Sequence, residues 1–323
     1  GYHDLYGTSR QSPVLDQHQL GLHNMSNLSE LLPAGAGAKS ASFVASGTLA
    51  SGQTVVLKSN GQVEAVTETT VSAVDSAGTP VVFEAASTAY NAVTFDSSNN
   101  KIIISYRDGG NSNYGTAVVG TVSGTSITFG TAVVFESAST TYTSCTYDFT
   151  NGKVVIAYRD GGNADYGTAI VGTVSGTSIS FGTAVVFSSA ALDAVTIGIT
   201  YDSNAQKIVA AYGTTAGGYR GDSIVGTVSG TSISFGSPTT FEAQYINYVA
   251  VAYDAIAQKT VISYKDVYNS NYGTSIVGTV SGTSISFGTS VVFESAITNY
   301  ISSTFDSDAN KVVIAYTDNG NSN

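Results

Sequence analysis

From about residue 78 onward, short apolar runs alternate with turn-forming clusters, and nearly the same wording returns every fifty-odd residues. The clearest copy predicts four strands: TSCTYD (143–148), KVVIAYRD (153–160), TAIVGTVS (168–175), and TSISFG running on into AVVF (177–187). These runs are rich in Val, Ile, Thr, Tyr and Phe, which suit a pleated surface. DFTNGK separates the first two, and Ser175-Gly176 separates the last two as a two-residue hairpin turn whose glycine tolerates positive φ. Val154, Ile156 and Tyr158 share one face of their strand, and Val155 and Ala157 share the other. Both faces are apolar, so the strand is expected to be covered on both sides. In the last strand Ile179 and Phe181 alternate with Ser178 and Ser180, the pattern of a half-exposed position. The predicted unit is a four-stranded antiparallel meander.

The period is fixed. The Tyr that ends the second strand falls at 106, 158, 212, 264 and 316, in steps of 52, 54, 52 and 52. The Gly of GTVSGTS falls at 120, 172, 226 and 278, and the Phe of the VVFE-type stretch at 83, 135, 187, 241 and 293. A constant period of this length marks a propeller or a solenoid, and four strands in about fifty residues match a propeller blade. The expected fold class is therefore all-β: a β-propeller of four-stranded, roughly 52-residue blades, preceded by a small N-terminal β-hairpin module.

The chain reads as three regions. Residues 1–41 form an extended attachment segment and linker, 42–77 a small β-hairpin module, and 78–323 the repeats, with four complete copies and a partial fifth. The first region holds all three histidines (His3, His18, His23) and a capping-box pattern at Asn27–Glu30 that allows a turn or two of helix. VVLKSNGQVEAV reads as an Asn-Gly hairpin, which is marginal alone and calls for something to dock on. The VVFE at 81–84 precedes any complete copy and is expected to be an orphan outer strand. The fifth copy stops mid-pattern at Asn323, which suggests a longer gene product and leaves blade number open.

Composition narrows the function. Charged residues make up 11% and the net charge is −11, so a basic nucleic-acid-binding surface is not expected. No run has the length of a membrane span, and no N-terminal stretch has the order of a secretory signal. The single cysteine, Cys145, shares its register with Val93, Ile199, Val251 and Ser303, so it is expected to serve as a small core residue.

Candidate chemistry is sparse. The Asp at 96, 148, 202, 254 and 306 sits where a strand enters a turn, and its expected role is to accept hydrogen bonds from the backbone just ahead. The loop after the second strand presents Arg107, Asp108, Asn111 and Tyr114 in one copy, then Arg159, Asp160, Asn163 and Tyr166, then Lys265, Asp266, Asn269 and Tyr272. Polar side chains beside aromatic faces on a rigid rim suit a glycan, while the Asp-Gly-Gly and Asn content also makes an ordinary turn. Repetition would favour weak multivalent binding. No His follows residue 23, and no nucleophile elbow, P-loop or zinc spacing occurs, so neither catalysis, a metal nor a cofactor is expected.

With MSNLSELLPAG, SFVASGTLASGQTVVLKSNGQVEAV and KVVIAYRDGGNADYGTAIVGTVSGTSISFGT in view, the chain from about residue 25 resembles marine bacteriophage repeat proteins of the virion and tail-fibre type. The resemblance implies a virion-surface or tail-associated protein, and no catalytic residue comes with it. The expected function is a virion structural protein, a phage tail-fibre or surface-appendage subunit presenting its propeller for attachment to a host-surface glycan. The expected partners are other virion proteins through residues 1–77, further copies of the chain as a homo-oligomer, and that glycan, without nucleic acid or membrane insertion. The alternative is a purely architectural protein, decorating a capsid or forming a bacterial surface fibre.

Overall fold

The computed structural model describes residues 2–4, 42–49, 55–58, 60–65 and 77–321. The chain divides into two compact units, Gly1–Asp75 and Ser76–Asn323. Among the described residues every regular element is a strand. The capping-box segment, His18 and His23 lie outside them.

The first unit is a four-stranded sheet of β1 (Tyr2–Asp4), β2 (Ser42–Ala45), β3 (Val55–Leu57) and β4 (Gln62–Ala65), in the order β1-β2-β4-β3. β3 and β4 pair antiparallel across Asn60-Gly61, with Gly61 at φ +79°, the backbone such a turn requires. β2 runs parallel to β4 and antiparallel to β1, so the hairpin does not stand alone.

The second unit repeats one meander. The first copy holds β5 (Thr88–Asp96), β6 (Lys101–Asp108), β7 (Tyr114–Ser123) and β8 (Ser126–Phe129). The second holds β9 (Val133–Asp148), β10 (Lys153–Asp160), β11 (Tyr166–Ser175) and β12 (Ser178–Phe181). Next come β13 (Val185–Asp202), β14 (Lys207–Thr214), β15 (Arg220–Ser229) and β16 (Ser232–Phe235). The fourth copy has β17 (Thr239–Glu242), β18 (Ile246–Asp254), β19 (Lys259–Asp266), β20 (Tyr272–Ser281) and β21 (Ser284–Phe287). β22 (Val291–Asp306) and β23 (Lys311–Asp318) open the fifth.

One boundary differs from the sequence expectation. TSISFG does not run on into AVVF. β12 pairs with the far half of β11 (Gly172↔Phe181 to Ser175↔Ser178), and the start of β13 pairs with the near half (Ala169↔Val185, Thr168↔Val186). The ten-residue β11 thus offers one edge to two partners in tandem. AVVF is continuous with the next copy: β13 runs on to Asp202 and pairs there with β14. Such long strands bend at a bulge, and β9, β13 and β22 each carry the ladder from one sheet to the next.

Packing between copies explains the doubly apolar strands. Val154, Ile156 and Tyr158 share a core with Ile103, Ala117 and Val119 of the preceding copy. Val155 and Ala157 share another with Ile208, Ala210 and Tyr212 of the following one. The Phe of each VVF-type segment also clamps the Tyr that ends the second strand after it, at 5.1–5.3 Å between ring centres in all five instances; that Tyr is buried in the first four and exposed at Tyr316. Beside that Phe a glutamate accepts the Tyr hydroxyl, as in Tyr158 Oη to Glu136 Oε2 at 3.0 Å and Tyr264 Oη to Glu242 Oε2 at 3.3 Å. Copy 3 has Ser188 at the glutamate position.

The orphan VVFE at 81–84 is a second correction. Phe83 and Glu84 make the expected clamp on Tyr106, at 5.2 Å between rings and 3.3 Å between oxygens. The segment is nevertheless not a strand, because among the described residues no preceding third strand lies beside it to complete a ladder.

Candidate functional site

The recurring aspartates are turn residues. Asp96 Oδ1 accepts the backbone N–H groups of Ser98 and Asn99 at 3.0 Å, and Asn99 donates from its side chain to Oδ2 at 2.8 Å. These bonds hold the Asp96 carboxyl below its ordinary pKa, although burial acts in the opposite direction as the largest single influence. Asp148, Asp202, Asp254 and Asp306 accept equivalent bonds. Among the described residues no cluster of three metal-ligating side chains occurs.

The loop candidates separate into two groups. Asp108, Asn111 and Tyr114 close a turn on themselves: Gly110 N donates to Asp108 Oδ1 at 2.9 Å, Asn111 N to the Asp108 carbonyl at 3.2 Å, and Tyr114 N to the Asn111 carbonyl at 2.9 Å. Asp160, Asn163 and Tyr166 repeat this set, and Asp266, Asn269 and Tyr272 keep most of it, with Asn269 N bonded to Asp266 Oδ1 at 3.0 Å. Asp108 and Asp160 are buried, so their carboxylates serve the turn.

Arg107, Arg159 and Lys265 part from their neighbours, because successive strand residues point to opposite sides. Arg107 lies over the Tyr90 ring at 4.9 Å and Lys265 over the Tyr248 ring at 5.6 Å. Arg159 pairs with Asp165 at 2.8 Å and donates to the Leu192 carbonyl at 3.2 Å and to Thr141 Oγ1 at 3.3 Å. Burial lowers the Lys265 ammonium below its ordinary range.

The bulge tyrosines, two of which lie under these cations, are not among the sequence candidates. Tyr90, Tyr142, Tyr248 and Tyr300 stand six residues before the recurring Asp, at the bulge of each inner strand, with φ between 50° and 54°. Positive φ is unusual for a bulky side chain, and strained backbone of this kind gathers at functional positions. The rings associate in pairs, Tyr90–Tyr142 at 4.5 Å and Tyr248–Tyr300 at 5.0 Å. The Thr143 hydroxyl donates to the Tyr90 carbonyl, which ties one bulge to the next copy. A sequence signal exists: Tyr recurs at that offset in four copies, with Thr196 in copy 3. Copy 3 departs elsewhere too, for Arg220 chelates Asp222 at 2.9–3.0 Å and Tyr219 meets the Tyr245 ring at 5.3 Å.

At the opposite ends of the same inner strands lies an open recess of about 550 Å³, walled by all five copies. The residue just before the recurring Asp supplies an aromatic ring each time: Phe95, Tyr147, Tyr201, Tyr253 and Phe305. Thr94, Thr146, Thr200 and Thr304 add hydroxyls, and Phe149 adds a further ring, half exposed and edge-on to Tyr201 at 4.9 Å. Two of the wall tyrosines also bridge copies: Tyr201 Oη donates to Thr150 Oγ1 at 2.6 Å, and Tyr253 Oη accepts from Asn204 N at 3.2 Å. Cys145 lines the recess half-buried, and burial pushes its thiol up to about 12, which suits a packing residue and not a nucleophile. No family model matches the chain, and no curated protein is similar to it.

Proposed function

We propose that residues 76–323 form blades of a β-propeller, displayed on a virion as a phage tail-fibre or appendage subunit that attaches to a host-surface saccharide. The propeller reading is supported by the recess. Sheets stacked in a straight rod lie about 10 Å apart, so the first and fifth copies would be separated by about 40 Å. A space of about 550 Å³ bordered by both Phe95 and Phe305 favours inner strands that turn about a common axis.

Attachment rests on one observation: a strained tyrosine at the bulge, with the cation of the second strand against its ring. Aromatic faces beside guanidinium and ammonium groups suit an acidic saccharide, whose ring stacks while its carboxylate or sulfate meets the cation. Each contact is weak, and recurrence around the axis supplies avidity. The resemblance to phage virion proteins supplies the setting. Among the described residues no helix is long and apolar enough to cross a membrane.

A glycan array probed with the whole chain and with a triple Arg107→Ala, Arg159→Ala, Lys265→Ala variant tests this reading. Binding of acidic glycans by the parent and its loss in a folded triple variant are expected. Equal binding by both proteins, or none by the parent in multimeric form, would count against it. The architectural alternative draws on exposed apolar positions in the first and last copies, Val93 and Phe95 at one end and Val291 and Val313 at the other.

A further inference from the structure

The recess at the far ends of the inner strands is a second place where chemistry converges, and it differs from the tyrosine–cation end in charge. Five residues along an extended strand separate Tyr90 from Phe95, a distance of about 16 Å, so the two regions are distinct. Among the described residues no charged side chain lines the recess. The carboxylates that follow the wall aromatics, those of Asp96, Asp148, Asp202, Asp254 and Asp306, already hold the backbone of their turns, and the first three are buried. The lining is made of aromatic rings and hydroxyls, presented from several sides into a volume within the range of small-molecule sites.

A ligand matching that lining carries hydroxyls on its rim, an apolar C–H face, and no net charge. A charged group would lose its water without gaining a partner. We infer that the recess binds the uncharged pyranose units of a neutral saccharide, stacked on rings such as Phe149 and hydrogen-bonded by the threonine hydroxyls. The site does not depend on the virion role, nor on the cations of the other end. Its selectivity is the reverse of theirs: neutral sugars enter, and acidic ones are turned away by the lack of a counter-charge and by a net charge of −11.

The test is saturation-transfer NMR with titration on the whole chain, using methyl α-mannoside, lactose and cellobiose as neutral probes and galacturonate as the acidic control. Saturable binding of at least one neutral probe is expected, unchanged by added salt, with no binding of galacturonate displaced by that probe. Phe149→Ala should weaken it about tenfold, the loss of one stacking ring. Thr304→Val, at an exposed position, should weaken it several-fold while leaving the fold intact. Arg107→Ala should leave it unchanged, and this separates the site from the acidic-glycan reading. No saturable neutral binding, or binding that survives both Phe149→Ala and Thr304→Val, overturns the inference. If Phe149→Ala does not fold, the Thr304→Val result decides.

Discussion

At the scale of single residues, the copies serve as each other's controls. Facing positions on the second and third strands hold Ser105 and Ala117, then Ala157 and Ala169, then Ala211 and Ser223, then Ser263 and Ser275. Where both are serine, the hydroxyls bond each other at 2.9 Å. Ser223 faces an alanine, is fully buried, and its hydroxyl has no hydrogen-bond partner among the described residues. A buried hydroxyl without a partner costs about 1–3 kcal/mol. Ser223→Ala, the residue found in copies 1 and 2, should therefore stabilise the chain by about 1 kcal/mol. Ser263→Ala should destabilise it by a similar amount, because it leaves the Ser275 hydroxyl unpaired. Denaturant midpoints of the two variants check this, and a shift of the same sign in both would refute the pairing argument. Nothing in a single sequence distinguishes these serines. Their difference lies in what stands across the ladder.

At the scale of elements, identical wording gives different outcomes. VVFE is strand at 133–136 and irregular at 81–84. The β-propensity is the same, and the available neighbouring edge is not. The glycine before VVF shows the same dependence. A β-carbon on Gly182 would lie 1.8 Å from the Thr231 carbonyl oxygen, and on Gly130 or Gly236 it would be 1.9 or 2.0 Å from the matching atom of the next copy. On Gly288 the nearest atom is 3.8 Å away. Gly182→Ala should cost about 3 kcal/mol, since backbone must move to make room. Gly288→Ala should stay within about 0.5 kcal/mol of the parent. Thermal unfolding of the two side by side checks the contrast, and equal losses would mean that the copies do not lock through this glycine.

At the scale of the whole molecule, the clamp tyrosines link stability to pH. Tyr106, Tyr158, Tyr212 and Tyr264 are fully buried, and burial is the first cause raising each hydroxyl's pKa above its ordinary value; the adjacent acids add to it. The unfolded chain gives up these protons near pH 10 while the folded chain holds them. Their contribution is thus complete below about pH 10 and is lost as pH rises beyond it. The unfolding midpoint should fall steeply above about pH 10, and the absorbance of these buried tyrosinates should appear together with unfolding. Complete tyrosine ionisation near pH 10 in a chain that stays folded would contradict this. The Cys145 thiol gives an independent readout: its raised pKa and packing predict slow labelling at neutral pH that accelerates only on unfolding.

The repeat period, the strand type, the two apolar faces of KVVIAY and the turn role of the recurring Asp are all set by residue order, because each depends on local spacing. The register of Cys145 with Val93, Ile199 and Val251 likewise marks a packing position, which the structure leaves half-buried on the wall of the recess. Three things depended on tertiary structure. AVVF belongs to the copy after the one that sequence adjacency suggests, because a long strand offers its two halves to different partners. Arg107, Arg159 and Lys265 leave the loops that contain them, because alternate side chains on a strand face opposite ways. The five aromatics before the aspartates share one recess although some fifty residues separate each from the next, because the inner strands converge. A linear pattern records which way a side chain faces along its own strand, and only the packing of sheet against sheet decides which neighbours it meets there.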